Sequence, residues 1–584
     1  MSAPASRAGA WPIIRAYWVS PDSGPGWRLL AAVIALDLAL VWRAARITYW
    51  QKDFYDTLQK MDEAAFWPLL AMLVLLALTG LVLSTARTWL AQSLEMRWRA
   101  WMTDVYLKRW LAGSAFWRLE REQHPAGCSV ENVDQRLAED LRMLASDTLS
   151  LSLGLLSNFV SLFTFSAIVW SMSGVLSITL GGASFEVPGY MLWVALIYAA
   201  GGSWLMEKIG GRMVAIDYRQ QQAEADFRTA LMRIRESAEQ IALYGGGHAE
   251  HARLTALFDA VKHNWRDIMV YTKRITITDN AYTEAGALVP YVLQGPRVLK
   301  GIITMGDLIQ LTQSFMRVRV ALSWFIYKYK SLALLRSALA RLAEFDAALQ
   351  AASGATASAP RITRQRGPAA SGYALQGVQA LGPGGRPLTP VVNWRIAPGE
   401  RWMLRGPSGA GKSTLLRALA GLWTHGHGHI ATPPETAETP ETAAPPGTAA
   451  APRAEILFVP QQSYLPIDTL RACLAYPALE TAFSDDDCQA ALRWACLPAL
   501  THRLHESAHW ARQLSPGEQQ RLAFARIWLH RPRWLFLDEA TSALDEETEE
   551  RLYTRLTRDL PGLTLVSIAH RSSLRRFHEH EMQL

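Results

Sequence analysis

The sequence is poor in cysteine and in charged residues, and both shortages limit what the chain can be. Only four cysteines occur, and they are Cys128, Cys473, Cys488 and Cys496. None has the C-x-x-C spacing of a zinc or redox motif, so neither a metal site nor a disulfide framework is expected. Charged residues form 19 % of the chain and apolar residues 50 %. This balance favours a protein with a membrane-embedded part over one that is soluble throughout.

No signal peptide is expected, because the stretch before Trp27 has no apolar core followed by a cleavage site. The net charge of +7 makes nucleic acid an alternative partner. However, the basic residues mostly flank apolar stretches, as they do in cytoplasmic loops beside anionic lipid, so a membrane surface is favoured. The 23 tryptophans fit that environment, since their amphipathic rings prefer the headgroup zone. With 584 residues, the chain is expected to hold two or more domains.

Six apolar segments are long enough to cross a hydrocarbon layer about 30 Å thick. They are 29–50, 66–90, 149–170, 187–206, 281–299 and 308–329. Charged residues interrupt the first, fifth and sixth. The loops after the second and fourth spans are rich in Lys and Arg, whereas 171–186 contains neither. The positive-inside rule therefore places the two long basic loops and both termini in the cytoplasm.

A glycine-rich stretch from Gly406 to Ser413 fits the pattern G-x-x-x-x-G-K-[ST] at every fixed position. Such a loop turns many backbone N–H groups toward one point, which suits a triphosphate, while a chance glycine-rich turn is the alternative. Lys412 is expected to reach the β- and γ-phosphates, and the Ser413 hydroxyl to ligate Mg²⁺. The residues expected to bind the nucleotide here are Gly406, Ser408, Gly409, Gly411, Lys412, Ser413 and Thr414.

Further chemistry-bearing residues follow in order along the chain. An apolar strand ends in Asp538 and Glu539, where Asp538 suits Mg²⁺ as a direct or second-shell ligand and Glu539 suits activation of the attacking water. Gln461 follows another apolar strand and is expected to sense metal or water. His570 ends a third strand and is expected to hold the γ-phosphate. Taken singly, each has a simpler explanation as an exposed loop residue.

A serine-containing segment, Leu514-Ser515-Pro516-Gly517-Glu518, opens a helix between these features. Ser515 and the N-terminal amides of that helix suit a γ-phosphate. Together these motifs resemble the nucleotide-binding domain of ABC transporters over residues 371–584. The resemblance implies that Ser515, Gly517, Glu518 and Asp545 complete the nucleotide site. It also implies a dimer, and a homodimer is the simplest form since each motif occurs once. An unlinked heterologous partner remains the alternative.

Two departures from the ABC pattern stand out. Pro516 and Glu518 occupy positions that commonly hold Gly and Gln. The stretch 377–383 also has no aromatic residue to stack on adenine, so the adenine contact stays unassigned.

The first half of the chain resembles the SbmA/BacA-like group, and more closely its YddA-like members with a fused ATPase domain, including the mycobacterial cobalamin importer. The peroxisomal fatty-acyl half-transporters are more distant relatives. The segments that carry this resemblance are 54–59, 97–103, 132–140, 186–191 and 224–228. It implies an exporter-type fold with an α-helical six-span transmembrane domain, followed by an α/β P-loop nucleotide-binding domain. We expect part of 132–142 and of 224–244 to contact an ATPase domain, although both segments suit simple helical extensions of the spans.

The expected layout has four parts: a cytoplasmic segment 1–28, a transmembrane domain 29–345, a linker 346–370, and an ATPase domain 371–584 that contains a disordered insertion 432–452. The expected function is ATP-driven import of hydrophilic compounds such as cobalamin or peptides across the bacterial inner membrane. ATP and Mg²⁺ are the expected cofactors, and the bilayer and the solute the expected partners.

Two other functions remain alternatives. One is export of lipids, fatty acyl compounds or hydrophobic drugs. The other is a membrane-tethered ATPase of soluble type, which would need tandem ATPase domains that the sequence lacks. Polar residues in the spans suggest a wet cavity, while residues close to the inner headgroup layer would merely snorkel or pair. They are Asp37, Glu284, Gln294, Gln310, Thr312, Gln313, Ser314, Arg317 and Arg319.

Overall fold

The computed structural model describes residues 10–121, 132–180, 183–352, 360–367, 372–382, 385–433, 455–569 and 571–584. The chain divides into two compact units. The first consists of Met1–Trp110 and Val130–Leu349, and the second of Leu111–Ser129 and Gln350–Leu584. A short stretch that follows the second predicted span therefore groups with the C-terminal unit.

Within its described residues, the first unit is built mainly of six long helices. The helices up to residue 352 are α1 (Ala10–Val19), α2 (Gly24–Lys60), α3 (Glu63–Leu111), α4 (Ala115–Arg121), α5 (Val133–Ser173), α6 (Tyr190–Glu236), α7 (Ala238–Leu243), α8 (Gly247–Leu299) and α9 (Met305–Ala352). A single π-helical turn, Arg136–Asp140, interrupts α5. Each predicted span lies within one of the six long helices, apart from the first residues of the fourth.

Two stretches of the described chain are long and apolar enough to cross a membrane by length and composition, and they are Glu63–Glu120 and Val133–Ser173. Only 11 % and 22 % of their most apolar windows are buried, so neither resembles the core helix of a soluble protein. Such exposed apolar surface requires lipid or a partner chain to cover it. Charges inside the first span, such as Asp37 and Arg43, explain why α2 fails the same test.

The start of the fourth span was predicted wrongly. Val175–Leu180 (β1) and Ala183–Pro188 (β2) form an antiparallel hairpin, and the helix begins only at Tyr190. Gly189 has φ 66°, and a Cβ there would lie 2.2 Å from Trp170. The left-handed backbone at Gly189 ends the hairpin, which the apolar pattern of 187–206 does not reveal.

The segment 331–350 is continuous with the sixth predicted span, and both lie in α9. The segment 224–244 is helical but interrupted, because the helix breaks at Ser237 (φ −109°, ψ 24°) between α6 and α7. Neither Gly nor Pro is next to Ser237, so the sequence offers no breaker signal for this break.

Within its described residues, the second unit contains three sheets. The strands are β3 (Thr363–Arg366), β4 (Tyr373–Ala380), β5 (Val392–Ile396), β6 (Arg401–Arg405), β7 (Gly426–Thr432), β8 (Ile456–Val459), β9 (Asp468–Thr469), β10 (Ser507–Ala508), β11 (Trp534–Asp538), β12 (Thr564–Ile568) and β13 (His580–Gln583). The larger sheet is parallel, with order β13-β6-β12-β11-β8, the smaller sheet has order β3-β7-β4-β5, and β9 and β10 form a separate antiparallel pair. The helices are α10 (Lys412–Leu419), α11 (Leu470–Ala475), α12 (Asp485–Trp494), α13 (Trp510–Gln513), α14 (Pro516–His530) and α15 (Glu546–Asp559).

The larger sheet carries the buried apolar strands that deliver the predicted site residues. All five residues of β12 and the first four of β11 are buried, as expected for parallel strands covered on both faces. Apolar side chains of α10 and α14, such as Leu415 and Phe524, are fully buried against the sheets. The carboxyl ends of β6, β8 and β11 therefore meet at one edge, where ligands of such sheets bind.

The stretch expected to be a linker contains ordered structure. α9 extends to Ala352, and β3 pairs in parallel with β7. Most of the predicted insertion 432–452 lies outside the described residues, while Thr432 is the last residue of β7. The small-residue composition of 351–370 concealed the strand.

Candidate functional site

The glycine-rich loop connects the end of β6 to the start of α10. Gly411 lies directly before the helix with φ 89°, and Gly409 has φ 84°. A Cβ at Gly411 would lie 2.3 Å from the carbonyl oxygen of Leu388, so glycine is required for space as well as for conformation. The loop therefore curls at the N-terminus of α10, where the helix dipole and free amides attract anions.

The two polar residues that open α10 point to different neighbours. The ammonium group of Lys412 donates hydrogen bonds to the carbonyl oxygens of Gly406, at 2.8 Å, and Pro407, at 3.0 Å. The Ser413 hydroxyl donates to Oδ1 of Asp538 at 3.0 Å. The lysine thus folds over the loop, and the serine joins it to the end of β11. Thr414 follows in the first turn of the helix, and Ser408 is exposed in the loop.

Two acidic residues close the end of β11. Burial raises the pKa of Asp538, and the neighbouring Glu539 raises it further, while the hydrogen bond from Ser413 opposes both effects. Glu539 has a left-handed backbone (φ 49°), and its amide donates to the carbonyl oxygen of Ile568. The side-chain amide of Gln461, just beyond β8, donates to Oε2 of Glu539 at 3.1 Å. Serine, glutamine and carboxylate oxygens are therefore gathered at one sheet edge, a donor set that suits Mg²⁺.

The serine-containing segment forms a capping box at the start of α14. The Ser515 hydroxyl accepts from the amide of Glu518 at 3.3 Å, and the Glu518 carboxylate accepts from the amide of Ser515 at 2.9 Å. Pro516 occupies the first helical position, which it favours. The hydrogen bonds from Ser515 lower the pKa of Glu518. Pro516 and Glu518, which differ from the common pattern, thus both contribute to a well-capped helix N-terminus.

A residue that sequence analysis did not single out joins α14 to the loop after Glu539. The side-chain amide of Gln520 donates to the Ser542 hydroxyl at 3.1 Å, and its oxygen accepts from the amide of Ala543 at 2.9 Å. A Cβ at Gly517 would lie 3.2 Å from the Ala543 carbonyl oxygen, so this approach is close. Gln520 lies two residues after Glu518, where the predicted motif ends, and that position was the available signal.

Asp545 ends this loop and begins α15. Its carboxylate accepts from the amide of Thr548 at 2.8 Å, and this contact lowers the pKa of Asp545. It therefore caps the helix rather than contacting the residues around Asp538. Ser515, Gly517, Glu518 and Asp545 form a second group whose contacts run among α14, this loop and α15. His570 lies outside the described residues.

Among the described residues, the segment that follows α3 packs within the C-terminal unit. The Trp117 and Trp423 rings meet edge to face with centroids 6.3 Å apart, and Arg118 donates to the carbonyl oxygen of Ala352. By contrast, the predicted contact segment 132–142 meets α9 within the first unit, where Asp140 pairs with Arg341. The contact of 111–121 with the C-terminal unit could not be predicted from the sequence, because the apolar residues of this segment continue the pattern of the preceding span.

The glycine-rich loop can hold a nucleoside triphosphate, and the carboxylates of Asp538 and Glu539 lie at the same sheet edge. Comparison with known proteins supports this interpretation. Two family models match, one described as the ABC transporter transmembrane region 2 over residues 13–299 and one as ABC transporter over residues 390–542.

Similar proteins match over nearly the full chain. The inner membrane ABC transporter ATP-binding protein YddA of Escherichia coli is 31 % identical over 96 % of this chain and 94 % of its own length. The human lysosomal cobalamin transporter ABCD4 is 26 % identical over 96 % of this chain and 92 % of its own. A solved bacterial Atm1-family ABC exporter with ATP bound has a TM-score of 0.67 at 18 % identity, covering 95 % of this chain and 93 % of its own.

Proposed function

The chain belongs to the ABC transporter family, and from that premise we propose that it works as a homodimeric half-transporter that imports hydrophilic compounds. The fold is a helical transmembrane region followed by an α/β nucleotide-binding domain. The chain binds ATP and hydrolyses it to drive transport across a membrane.

The observation that carries the proposal is the cluster at the end of β11. Ser413 and Asp538 already contact each other, and Gln461 contacts Glu539. We expect Mg²⁺ to bind to Ser413, Gln461 and Asp538, where it would neutralise phosphate charge. Lys412 would exchange its two loop carbonyls for phosphate oxygens. Glu539 is then placed to orient and deprotonate the attacking water.

A homodimer follows from the count of motifs. The chain has one glycine-rich loop and one Ser515 segment, and in ABC proteins the two face each other across a pair of domains. The capped N-terminus of α14 presents free amides and a positive dipole end, which suits the γ-phosphate of the nucleotide on the partner copy. Two copies therefore complete two sites, and a single copy completes none.

The bacterial inner membrane and inward transport are proposed from the relatives. YddA is named as an inner membrane protein and ABCD4 as a cobalamin transporter. Positive-inside topology puts the ATPase domain and both termini in the cytoplasm. The alternative is export of lipid or acyl compounds, which the exporter-type fold accommodates equally well.

Vesicles of known orientation test direction and cargo together. Labelled cobalamin is offered to right-side-out vesicles loaded with ATP and to inside-out vesicles supplied with external ATP. Import predicts accumulation in the ATP-loaded vesicles only, and Lys412→Ala, which loses the phosphate contact, abolishes it. Accumulation in the inside-out vesicles only would reverse the proposed direction. ATP hydrolysis stimulated by acyl-CoA but not by cobalamin would favour the alternative.

A further inference from the structure

We propose that Arg319, with the hydroxyl groups of Tyr282 and Ser323, forms a subsite for an anionic group of the transported solute. The inference rests on the proposed transport function and adds the chemical class of the cargo. The subsite lies between α6, α8 and α9 within the first unit. Its defining feature is a buried positive charge for which the described chain supplies no counter-ion.

The guanidinium of Arg319 is held inside the helix bundle. The residue is 5 % exposed, and its Nε is buried without a hydrogen-bond partner. The guanidinium lies over the ring of Tyr282, whose centroid is 5.0 Å from the guanidinium carbon. A cation–π contact offsets only part of the cost of removing a charge from water. A further partner is therefore required.

No carboxylate supplies that partner within the part of the chain that the structure describes. Two buried or half-buried carboxylates of this unit are already paired with other cations, Asp37 with Arg87 and Asp307 with Lys52. Asp279 lies one turn before Tyr282 but is engaged in an interaction of its own. The stretch 325–330 of α9 contains no acidic residue. The counter-charge must come from outside these residues.

Two hydroxyl groups accompany the guanidinium. The Tyr282 hydroxyl and the Ser323 hydroxyl are both buried without a hydrogen-bond partner. Ser323 lies four residues after Arg319, so both project from one face of α9. Arginine only donates, and both hydroxyls have a proton to donate. All three groups can donate and none has a described hydrogen-bond partner, a set that suits an anionic oxygen group such as a carboxylate or a phosphate.

The tyrosine that carries one hydroxyl is held in a fixed position. The rings of Tyr198 and Tyr282 stack with centroids 4.7 Å apart, and the Tyr198 hydroxyl donates to the Tyr282 carbonyl oxygen. Two glycines provide the room for these groups. A Cβ at Gly202 would lie 2.2 Å from the Tyr282 ring, and a Cβ at Gly286 would lie 3.0 Å from the Tyr198 ring and 3.3 Å from Arg319.

The position along the helices fits a transport pathway. Arg319 follows the start of the predicted sixth span at residue 308 by roughly 16 Å, about half the thickness of a hydrocarbon layer. Charged groups at this depth are costly and characteristically belong to a substrate or ion pathway. The subsite is closed in this conformation, and separation of α9 from α6 and α8 during the transport cycle would open it.

Binding of simple anions to the full-length protein tests the subsite without transport or nucleotide. Protein in phosphatidylcholine nanodiscs is titrated with inorganic phosphate, acetate or neutral acetamide at constant ionic strength, and the unfolding midpoint is followed. An anion that binds the folded state raises the midpoint. We expect phosphate or acetate to raise it and acetamide to leave it unchanged. Arg319→Gln should weaken the apparent affinity on the order of 10- to 100-fold.

Matched variants separate an anion site from simple packing. Arg319→Lys keeps the charge and should retain part of the response. Tyr282→Phe keeps the ring stack and removes one donor, so the affinity should fall several-fold. Arg317→Gln removes the exposed arginine two residues away and should respond as the wild type does. An unchanged response in Arg319→Gln would overturn the proposal, and so would equal effects of acetate and acetamide on the wild type.

Two further arms identify the source of the anion. If phosphatidylglycerol in the nanodisc stabilises the protein through Arg319 and soluble anions do not, the ligand is a lipid headgroup and the cargo assignment is wrong. Wild-type protein that hydrolyses ATP but ignores both soluble anions contradicts only the subsite. Wild-type protein that does not hydrolyse ATP contradicts the transport function itself.

Discussion

Ser413 and Asp538 lie 125 residues apart in the sequence, and the serine hydroxyl donates a 3.0 Å hydrogen bond to the aspartate. One residue belongs to the first turn of α10 and the other ends β11. The contact sets the serine hydroxyl and the carboxylate, which are the two proposed Mg²⁺ ligands, side by side. Burial raises the pKa of Asp538, so its charged form destabilises the fold without a cation.

Replacing Asp538 with Asn should therefore separate stability from activity. Because the folded-state pKa lies above the unfolded value, the carboxylate lowers stability as pH rises through that interval. At neutral pH, Asp538→Asn should unfold at a higher temperature without nucleotide. Its affinity for Mg²⁺ should fall on the order of 10- to 100-fold, measured by the metal dependence of ATP hydrolysis.

Asp559 provides a control of opposite sign. Hydrogen bonds from Arg558 and Trp494 lower its pKa, so its charge stabilises the fold above the unfolded pKa and this contribution is lost as pH falls. Asp559→Asn should unfold at a slightly lower temperature at neutral pH and keep its metal dependence. A lower unfolding temperature in both variants would contradict the assigned burial of Asp538.

Glu539→Gln should abolish hydrolysis while sparing nucleotide binding. Gln is similar in size but cannot accept the proton of the attacking water. We expect kcat to fall by roughly 10²–10⁴. ATP should still hold two copies together, as seen by size-exclusion chromatography. Glu546→Gln, an exposed change in the first turn of α15, should hydrolyse ATP normally. Near-normal turnover in Glu539→Gln would assign the base to another residue.

The secondary structure around the candidate nucleotide site agrees with its motifs, because each motif carries its own geometry. The spacing of Gly406, Gly411 and Lys412 requires a strand, a tight loop and a helix, and β6 and α10 have this order. The buried run before Asp538 likewise predicts a parallel strand. The contact between Gln520 and Ala543 was not predictable, since side-chain hydrogen bonds between loops leave no periodic pattern.

The membrane half was less predictable at its turns than in its spans. Apolar length places the six long helices, but the hairpin before Tyr190 depends on one glycine conformation. The break at Ser237 has no local breaker residue. The pairing of Asp37 with Arg87 depends on how two helices pack, and in the sequence Asp37 only weakened the prediction of the first span.

The loop glycine next to α10 offers a sharp steric prediction. Ala at Gly411 would place a Cβ 2.3 Å from the Leu388 carbonyl oxygen in a left-handed backbone. Backbone strain alone costs about 1–3 kcal/mol, and the clash adds to it. Gly411→Ala should therefore lose ATP binding and unfold at a lower temperature.

Substitutions at two further glycines separate the backbone strain from the steric clash. Gly409 has φ 84° but open space around its Cα, so Gly409→Ala reports strain without the clash. Gly562 has neither feature, and Gly562→Ala should behave as the wild type. Equal ATP binding by all three variants, measured with a fluorescent nucleotide, would mean that the loop adopts another conformation.

The ion pair between Asp37 and Arg87 gives the last prediction, on the stability of the membrane half. The two side chains are 3.0 Å apart and 7 % and 32 % exposed. Removing one partner of a buried pair typically costs about 3–5 kcal/mol, and the partial exposure of Arg87 favours the lower end. Asp37→Asn should therefore lower the unfolding temperature in nanodiscs. The double change Asp37→Leu with Arg87→Met should recover most of the loss, because it leaves no unpaired charge.

Asp104→Asn, in an exposed pair with Lys108 on the same helix as Arg87, should change the free energy of unfolding by less than about 1 kcal/mol. Equal losses in the single and double variants would show that packing, rather than charge pairing, holds α2 against α3.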